Sequence, residues 1–109
     1  EVVIYDLPGE NEHYELIYSD YPQLMIELGS KEDIMQGVID LIGEETGTQV
    51  TENNDFKVDT LTGNEYIFNI DEKELTVRLL FVQNRLYQML YIGKDDAKKT
   101  AFFESFRLK

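Results

Sequence analysis

Four residues with ligating or proton-transferring side chains crowd one turn near the start of this sequence: Asp6, Glu10, Glu12 and His13 flank Pro8 and Gly9. Carboxylate oxygens plus one imidazole form a donor set suited to Ca²⁺, Mn²⁺ or Zn²⁺. The spacing is not that of an EF-hand loop, and no second histidine stands four residues away to make a pair on a helix face. Asp6, Glu10, Glu12 and His13 are therefore candidate metal ligands, weighed against a solvated acidic turn. Glu52-Asn53-Asn54-Asp55 reads as a second polar turn of the same kind.

Other chemistry finds little footing. There is no cysteine, which removes disulfides, thiol nucleophiles and thiolate metal sites. The single histidine would have to serve any serine or threonine nucleophile alone, and no G-x-S-x-G is present. Paired carboxylates for glycoside-type hydrolysis need a defined separation in a cleft. Glu44-Glu45, Asp71-Glu72 with Glu74, and Asp95-Asp96 all fall at turns or helix ends, where solvated acids belong anyway. Neither a P-loop nor G-x-G-x-x-G occurs. No catalytic residue and no cofactor is expected, and the chain reads as non-enzymatic.

Charge narrows the partners. The net charge of −12 is unevenly spread: residues 1–56 carry fourteen acids and one base, Lys31, whereas residues 57–109 carry nine bases and eight acids. Nucleic acid is excluded as a partner because phosphate neutralisation needs a basic stripe. Anionic lipid is disfavoured for the same reason. A cationic partner is permitted, and so is the plain reading that acidity maintains solubility. The densest apolar stretch, Leu75 to Ile92, is broken by Arg78, Gln83, Asn84, Arg85 and Gln88, so no direct membrane insertion of this domain is expected.

The 109 residues fit one domain spanning 1–109. Val2 to Tyr5 reads as a short strand ended by Leu7-Pro8-Gly9, and His13 to Tyr21 as a second, closed by Pro22. Leu24 to Leu28 reads as one more short extended piece. Ser30-Lys31-Glu32-Asp33 is a capping box with Asp as its acid, and Ile34, Met35, Val38, Ile39, Leu41 and Ile42 follow at helical spacing up to Gly47. Gln49 to Thr51 and Phe56 to Val58 then flank the polar turn. Thr62-Gly63-Asn64 and Asp71 to Glu74 read as further turns around a strand at Tyr66 to Ile70. Leu75 to Gln83 and Leu86 to Ile92 form a hairpin with Asn84-Arg85 as its loop. A last helix runs from Ala97 to Ser105, capped by Asp95 or Asp96. Six tyrosines, Tyr14, Tyr18, Tyr21, Tyr66, Tyr87 and Tyr91, fall on predicted strands; that is ordinary strand usage, with core or half-core roles expected, the alternative being an amphipathic binding surface if several share one incompletely covered face.

The hairpin decides the architecture. With that loop, Leu79 pairs with Leu90 and Val77 with Ile92 on one face, while Leu80 pairs with Met89 and Val82 with Tyr87 on the other. An antiparallel sheet with one wet face alternates apolar and polar residues; this one is apolar on both faces and must be covered on both. The expected fold is α+β: a three-layer α/β/α sandwich, with a central antiparallel sheet of about six strands and one helix region on each face.

Four segments, in order, resemble PsbP-like domains. Asn84-Arg85-Leu86-Tyr87-Gln88 and Phe102-Phe103-Glu104-Ser105-Phe106-Arg107-Leu108 are similar to the "gnrlYql" and "FldSFkl" pieces of that family's C-terminal signature. Gly63-Asn64-Glu65-Tyr66 resembles its "GrEy", with Asn64 in place of arginine, and Tyr18-Ser19-Asp20-Tyr21-Pro22 its "Y-x-D-x-P". The resemblance covers about residues 14–108 and implies the same sandwich. Its members are the extrinsic photosystem II subunit, a nuclear Ran-binding protein, and bacterial secreted proteins or lipoproteins. The long N-terminal extension of plant members is not in this sequence, so no photosystem role is expected.

The reading that follows is a non-enzymatic binding or accessory domain of an exported bacterial protein, extracytoplasmic, with a protein partner. Glu1 in place of Met marks a removed leader or a boundary drawn there. Two alternatives stand beside it: a domain that binds a small ligand or divalent metal between sheet and helix, and a cytoplasmic adaptor for a GTPase.

Overall fold

Ser30 fixes the start of the longest helix. Its side chain accepts a hydrogen bond from the Asp33 amide at 3.0 Å, and the Asp33 carboxylate accepts one from the Ser30 amide, so the capping box closes as its spacing requires. Gly47 ends the helix in the left-handed region, at φ 71°. The computed structural model describes residues 2–6, 13–70, 72–94, 96–104 and 106, with 2–6 and 13 described by backbone alone.

Those residues form β1 (Val2–Asp6), β2 (His13–Asp20), α1 (Gln23–Leu28), α2 (Lys31–Thr46), β3 (Val50–Val58), β4 (Leu61–Ile70), β5 (Lys73–Val82), β6 (Arg85–Gly93) and α3 (Asp96–Glu104). The strands pair antiparallel throughout in one sheet of order β1-β2-β6-β5-β4-β3. Because side chains alternate along a strand, β5 sends Leu75, Val77 and Leu79 to one face and Leu80 to the other. The first set joins Tyr66, Phe68 and Leu86 beneath Ile39 of α2. The second face gathers Phe56, Leu80, Met89 and Tyr91 beneath Phe103 of α3. Both faces of the hairpin are covered, one helix on each, and the three-layer sandwich is in place.

Four local expectations are corrected. The β5–β6 loop is Gln83-Asn84, not Asn84-Arg85: Leu79 faces Gln88, Val77 faces Leu90 and Leu80 faces Tyr87. Gln83 takes the left-handed conformation, φ 56°, and Arg85 becomes a strand residue opposite Asp20. Pairings shift by two residues, so each side chain keeps its face and the layer argument survives. Leu24 to Leu28 is helical, because Pro22 begins a helix as readily as it closes a strand: its carbonyl accepts from the Met25 and Ile26 amides.

Glu52 to Asp55 is not a turn. It continues β3 along the sheet edge, past an irregularity between Val50 and Glu52, and no sheet face requires apolar residues there. Gly63 is no turn residue either. The β3–β4 loop is Asp59-Thr60, and Gly63 lies inside β4 opposite Phe56, where its missing side chain makes room for the Phe56 ring and the Leu79 carbonyl. On α3, Phe103 takes the buried position while Ala101 faces solvent.

Candidate functional site

The fold sets Asp6 at the end of β1, opposite Glu15, and His13 at the start of β2, opposite Ile92. The side chains of Asp6 and His13, and the whole of Glu10 and Glu12, lie outside the described residues. Among the described residues, no group of three or more His, Cys, Asp or Glu is placed to hold a metal ion. Along β3, Glu52 and Asn54 alternate with Asn53 and Asp55 between the two faces, so the polar stretch does not converge on a point.

The charged side chains that are held firmly are held by one another. Arg78 is half-buried on the α3 face: its Nε donates to Glu65 Oε2 at 2.7 Å, and its guanidinium lies 4.6 Å from the Phe56 ring centre and 4.4 Å from that of Phe103. At the other end of the sheet, Arg85 donates to both Asp20 oxygens and covers the Tyr18 ring at 4.0 Å. That hydrogen-bonded guanidinium pulls the Asp20 carboxyl below its usual range, and Arg85 is raised in turn. Burial raises the Tyr21 and Tyr66 hydroxyls.

Three of the segments carrying the family resemblance meet in space. Asp20 and Tyr21 of the Tyr18–Pro22 segment contact the Asn84–Gln88 segment, through the Arg85 pair and through the Tyr21 amide donating to Asn84 O at 2.8 Å. Glu65 of "GNEY" pairs with Arg78. Tyr87 stacks edge-on against Phe106, ring centres 5.2 Å apart. These residues fasten strand to strand and strand to tail, so the resemblance is a signature of fold. The tyrosines behave likewise: Tyr66 and Tyr91 are buried, while Tyr14, Tyr18, Tyr21 and Tyr87 are partly buried in aromatic pairs.

Three open clefts lie among the described residues. One of about 300 Å³ lies between the β4–β5 turn and α3, where Lys94 faces Glu72 at 3.8 Å, and Lys99 faces Glu74 at 3.9 Å and Asp96 at 3.7 Å. Another of about 310 Å³ beside Arg78 is lined by Lys57, Asp59 and Glu104. A third, about 490 Å³, runs between α2 and the β3–β4 edge over Ile39, Val50 and Phe68. In the first two, acids and bases face one another; the third carries Asp40 and Glu44 with no base among its lining.

What the sequence reading missed is α1. This helix buries no residue. Ile26 turns inward, half-buried, while Leu24, Met25 and Leu28 are 64%, 51% and 80% exposed. Leu24 and Leu28 lie four apart and share a face. Leu41 of α2, 54% exposed, is the remaining large apolar side chain in this class among the described residues. Glu27 on α1 and Glu32, Asp33, Asp40, Glu44 and Glu45 on α2 are all exposed, and Lys31, the only base on either helix, lies over the Phe81 ring at 5.4 Å. The signal in the sequence was the spacing Leu24, Met25, Leu28 after a proline, which suits a helix face better than a strand.

No protein-family model and no curated protein matches this chain. Among solved structures, cyanobacterial PsbP (CyanoP) from Synechocystis sp. PCC 6803 superposes with a TM-score of 0.61 at 14% identity, over 99% of this chain and 82% of that one. A Pseudomonas aeruginosa protein of unknown function, described as a putative regulator, superposes with a TM-score of 0.51 at 13% identity, over 100% of this chain and 83% of that one. The fold is PsbP-like, as the sequence resemblance implied.

Proposed function

We propose that this domain is a non-enzymatic accessory module that binds another protein outside the cytoplasm, and that α1 with the adjoining surface of α2 is where the partner sits. The observation that carries the reading is that every large apolar side chain more than half exposed among the described residues lies on these two helices. Single exposed leucines are ordinary. A six-residue helix that buries nothing and turns three large apolar side chains outward is not, since so short a helix gains little from its own hydrogen bonds. Two of the clefts pair acids with bases, and the third sets Asp40 and Glu44 beside no histidine or other base, which supports a binding role over a catalytic one. The kinship with secreted and lipid-anchored bacterial members, implied by the sequence resemblance, supports an extracytoplasmic location.

The test is site-specific photocrosslinking in the cells that make the protein. A photoreactive residue at Leu28 is expected to give a discrete adduct, and the same residue at Thr62, exposed on β4, to give none. An identical pattern at both positions, or no adduct at Leu28, overturns the reading. Protease accessibility of the adduct in intact spheroplasts then reads the compartment.

A further inference from the structure

We infer that the partner seated on this face is a cationic amphipathic helix, one that carries leucine-like anchors along one side and lysine or arginine on the other. The inference rests on the docking reading above and adds the partner's chemistry. The apolar stripe of Leu24, Met25 and Leu28 spans little more than one turn, about 6 Å along the α1 axis, which matches anchors three and four residues apart on a facing helix. The two helices supply the sign. Glu27 of α1 and Glu32, Asp33, Asp40, Glu44 and Glu45 of α2 are exposed, and Lys31, the one base on either helix, is turned over Phe81. A partner seated on these helices must bring positive charge, or desolvate carboxylates without compensation.

The same charges argue against other occupants. A second copy of this chain would set one acidic helix pair against another. An anionic bilayer would be repelled. On α2, Gly37 lies one turn before Leu41, and a methyl group placed there would meet nothing within 4 Å, so the helix backbone is open to close approach at that point.

The probe is a labelled synthetic peptide of roughly 18 residues, leucine and lysine patterned as an amphipathic helix, with binding read by fluorescence anisotropy. Saturable binding to the full chain is expected, along with loss when the lysines are replaced by glutamate. Leu24→Ser with Leu28→Ser, both exposed and checked for folding by circular dichroism, should weaken binding by about tenfold or more. Glu52→Gln on β3, away from the face, should leave it unchanged. Equal binding by the leucine variant or by a scrambled peptide means charge attraction alone and overturns the inference. So does binding to phosphatidylglycerol vesicles in preference to the peptide, or a dimer in sedimentation that Leu28→Ser dissolves. Adducts at Leu28 in cells without peptide binding overturn the cationic partner and leave the docking face standing; absence of both removes the docking face itself.

Discussion

Arg85 holds Asp20 with two parallel hydrogen bonds, Nε to Oδ1 at 2.6 Å and Nη2 to Oδ2 at 3.0 Å, across the β2–β6 pairing and 65 residues of sequence. The geometry is the bidentate fork in which guanidinium and carboxylate match best. Both groups are exposed, so the pair sets register more than stability.

The pair makes a signed pH prediction. The Arg85 hydrogen bonds hold the folded-state pKa of Asp20 below that of an ordinary carboxylate, so the unfolded chain binds the proton first as pH falls. Its contribution is full above the unfolded carboxylate pKa, about 3.9, and is lost as pH drops through the lower folded value. The melting temperature of the native chain minus that of Asp20→Asn should be constant above about pH 5 and shrink toward zero between roughly pH 4 and 2. A difference that grows on acidification would mean the pair is not formed.

Gly63 yields a sharper outcome. A Cβ at this position would stand 2.5 Å from the Leu79 carbonyl oxygen and 2.6 Å from the Phe56 ring. The ring cannot retreat freely, because Arg78 lies on it. Gly63→Ala should destabilise by about 1 to 3 kcal/mol in chemical denaturation, the cost of overpacking. An unchanged midpoint would mean that Phe56 does not cover this glycine.

Gly63 also shows where the sequence stops being legible. Thr62-Gly63-Asn64 has turn composition, and nothing local says that a phenylalanine seven residues earlier needs the space. Layers and faces could be read because alternation along Leu75 to Ile92 survives a two-residue register error. The loop could not, since Gln83 at φ 56° carries no turn preference, and Arg85 is drawn into the strand by Asp20, a distant partner. The polar run Glu52 to Asp55 looked like a turn because an edge strand need not alternate. Helix α1 was missed for a related reason: its leucines face outward, and a pattern read for burial gives no weight to apolar residues left exposed.

The two glycines inside α2 should diverge. A methyl at Gly37 meets nothing within 4 Å, so Gly37→Ala should stabilise by up to about 1 kcal/mol through helix propensity and the restricted unfolded chain. A methyl at Gly43 would press on the Thr48 carbonyl oxygen at 3.0 Å, in the turn where Gly43 O already accepts from the Gly47 and Thr48 amides. Gly43→Ala should therefore lose stability. Parallel thermal melts of the two variants decide it, and equal shifts would sink the distinction.

Leucines on the two kinds of surface should separate just as clearly. Leu79 is fully buried between Tyr66, Val77 and Leu86, and Leu79→Ala should cost about 2 to 5 kcal/mol. Leu28→Ala, at 80% exposure, should stay within roughly 0.5 kcal/mol of the native chain. A large loss at Leu28 would show that α1 is packed within this domain, and would weaken its assignment as a docking element.

Thr76 is fully buried on β5, between Ile67 and Tyr91 on the α3 face, and its hydroxyl has no hydrogen-bond partner among the described residues. A buried hydroxyl left unpaired costs about 1 to 3 kcal/mol of desolvation with nothing returned. Valine keeps the branched shape and the strand preference while removing the polar atom. Thr76→Val should thus raise stability, by about 1 kcal/mol in denaturant titration. Thr76→Ser, which keeps the hydroxyl and deletes the methyl, should lower it. If valine destabilises instead, the hydroxyl is satisfied in solution by a buried water, and the space between Thr76 and Tyr91 is wet.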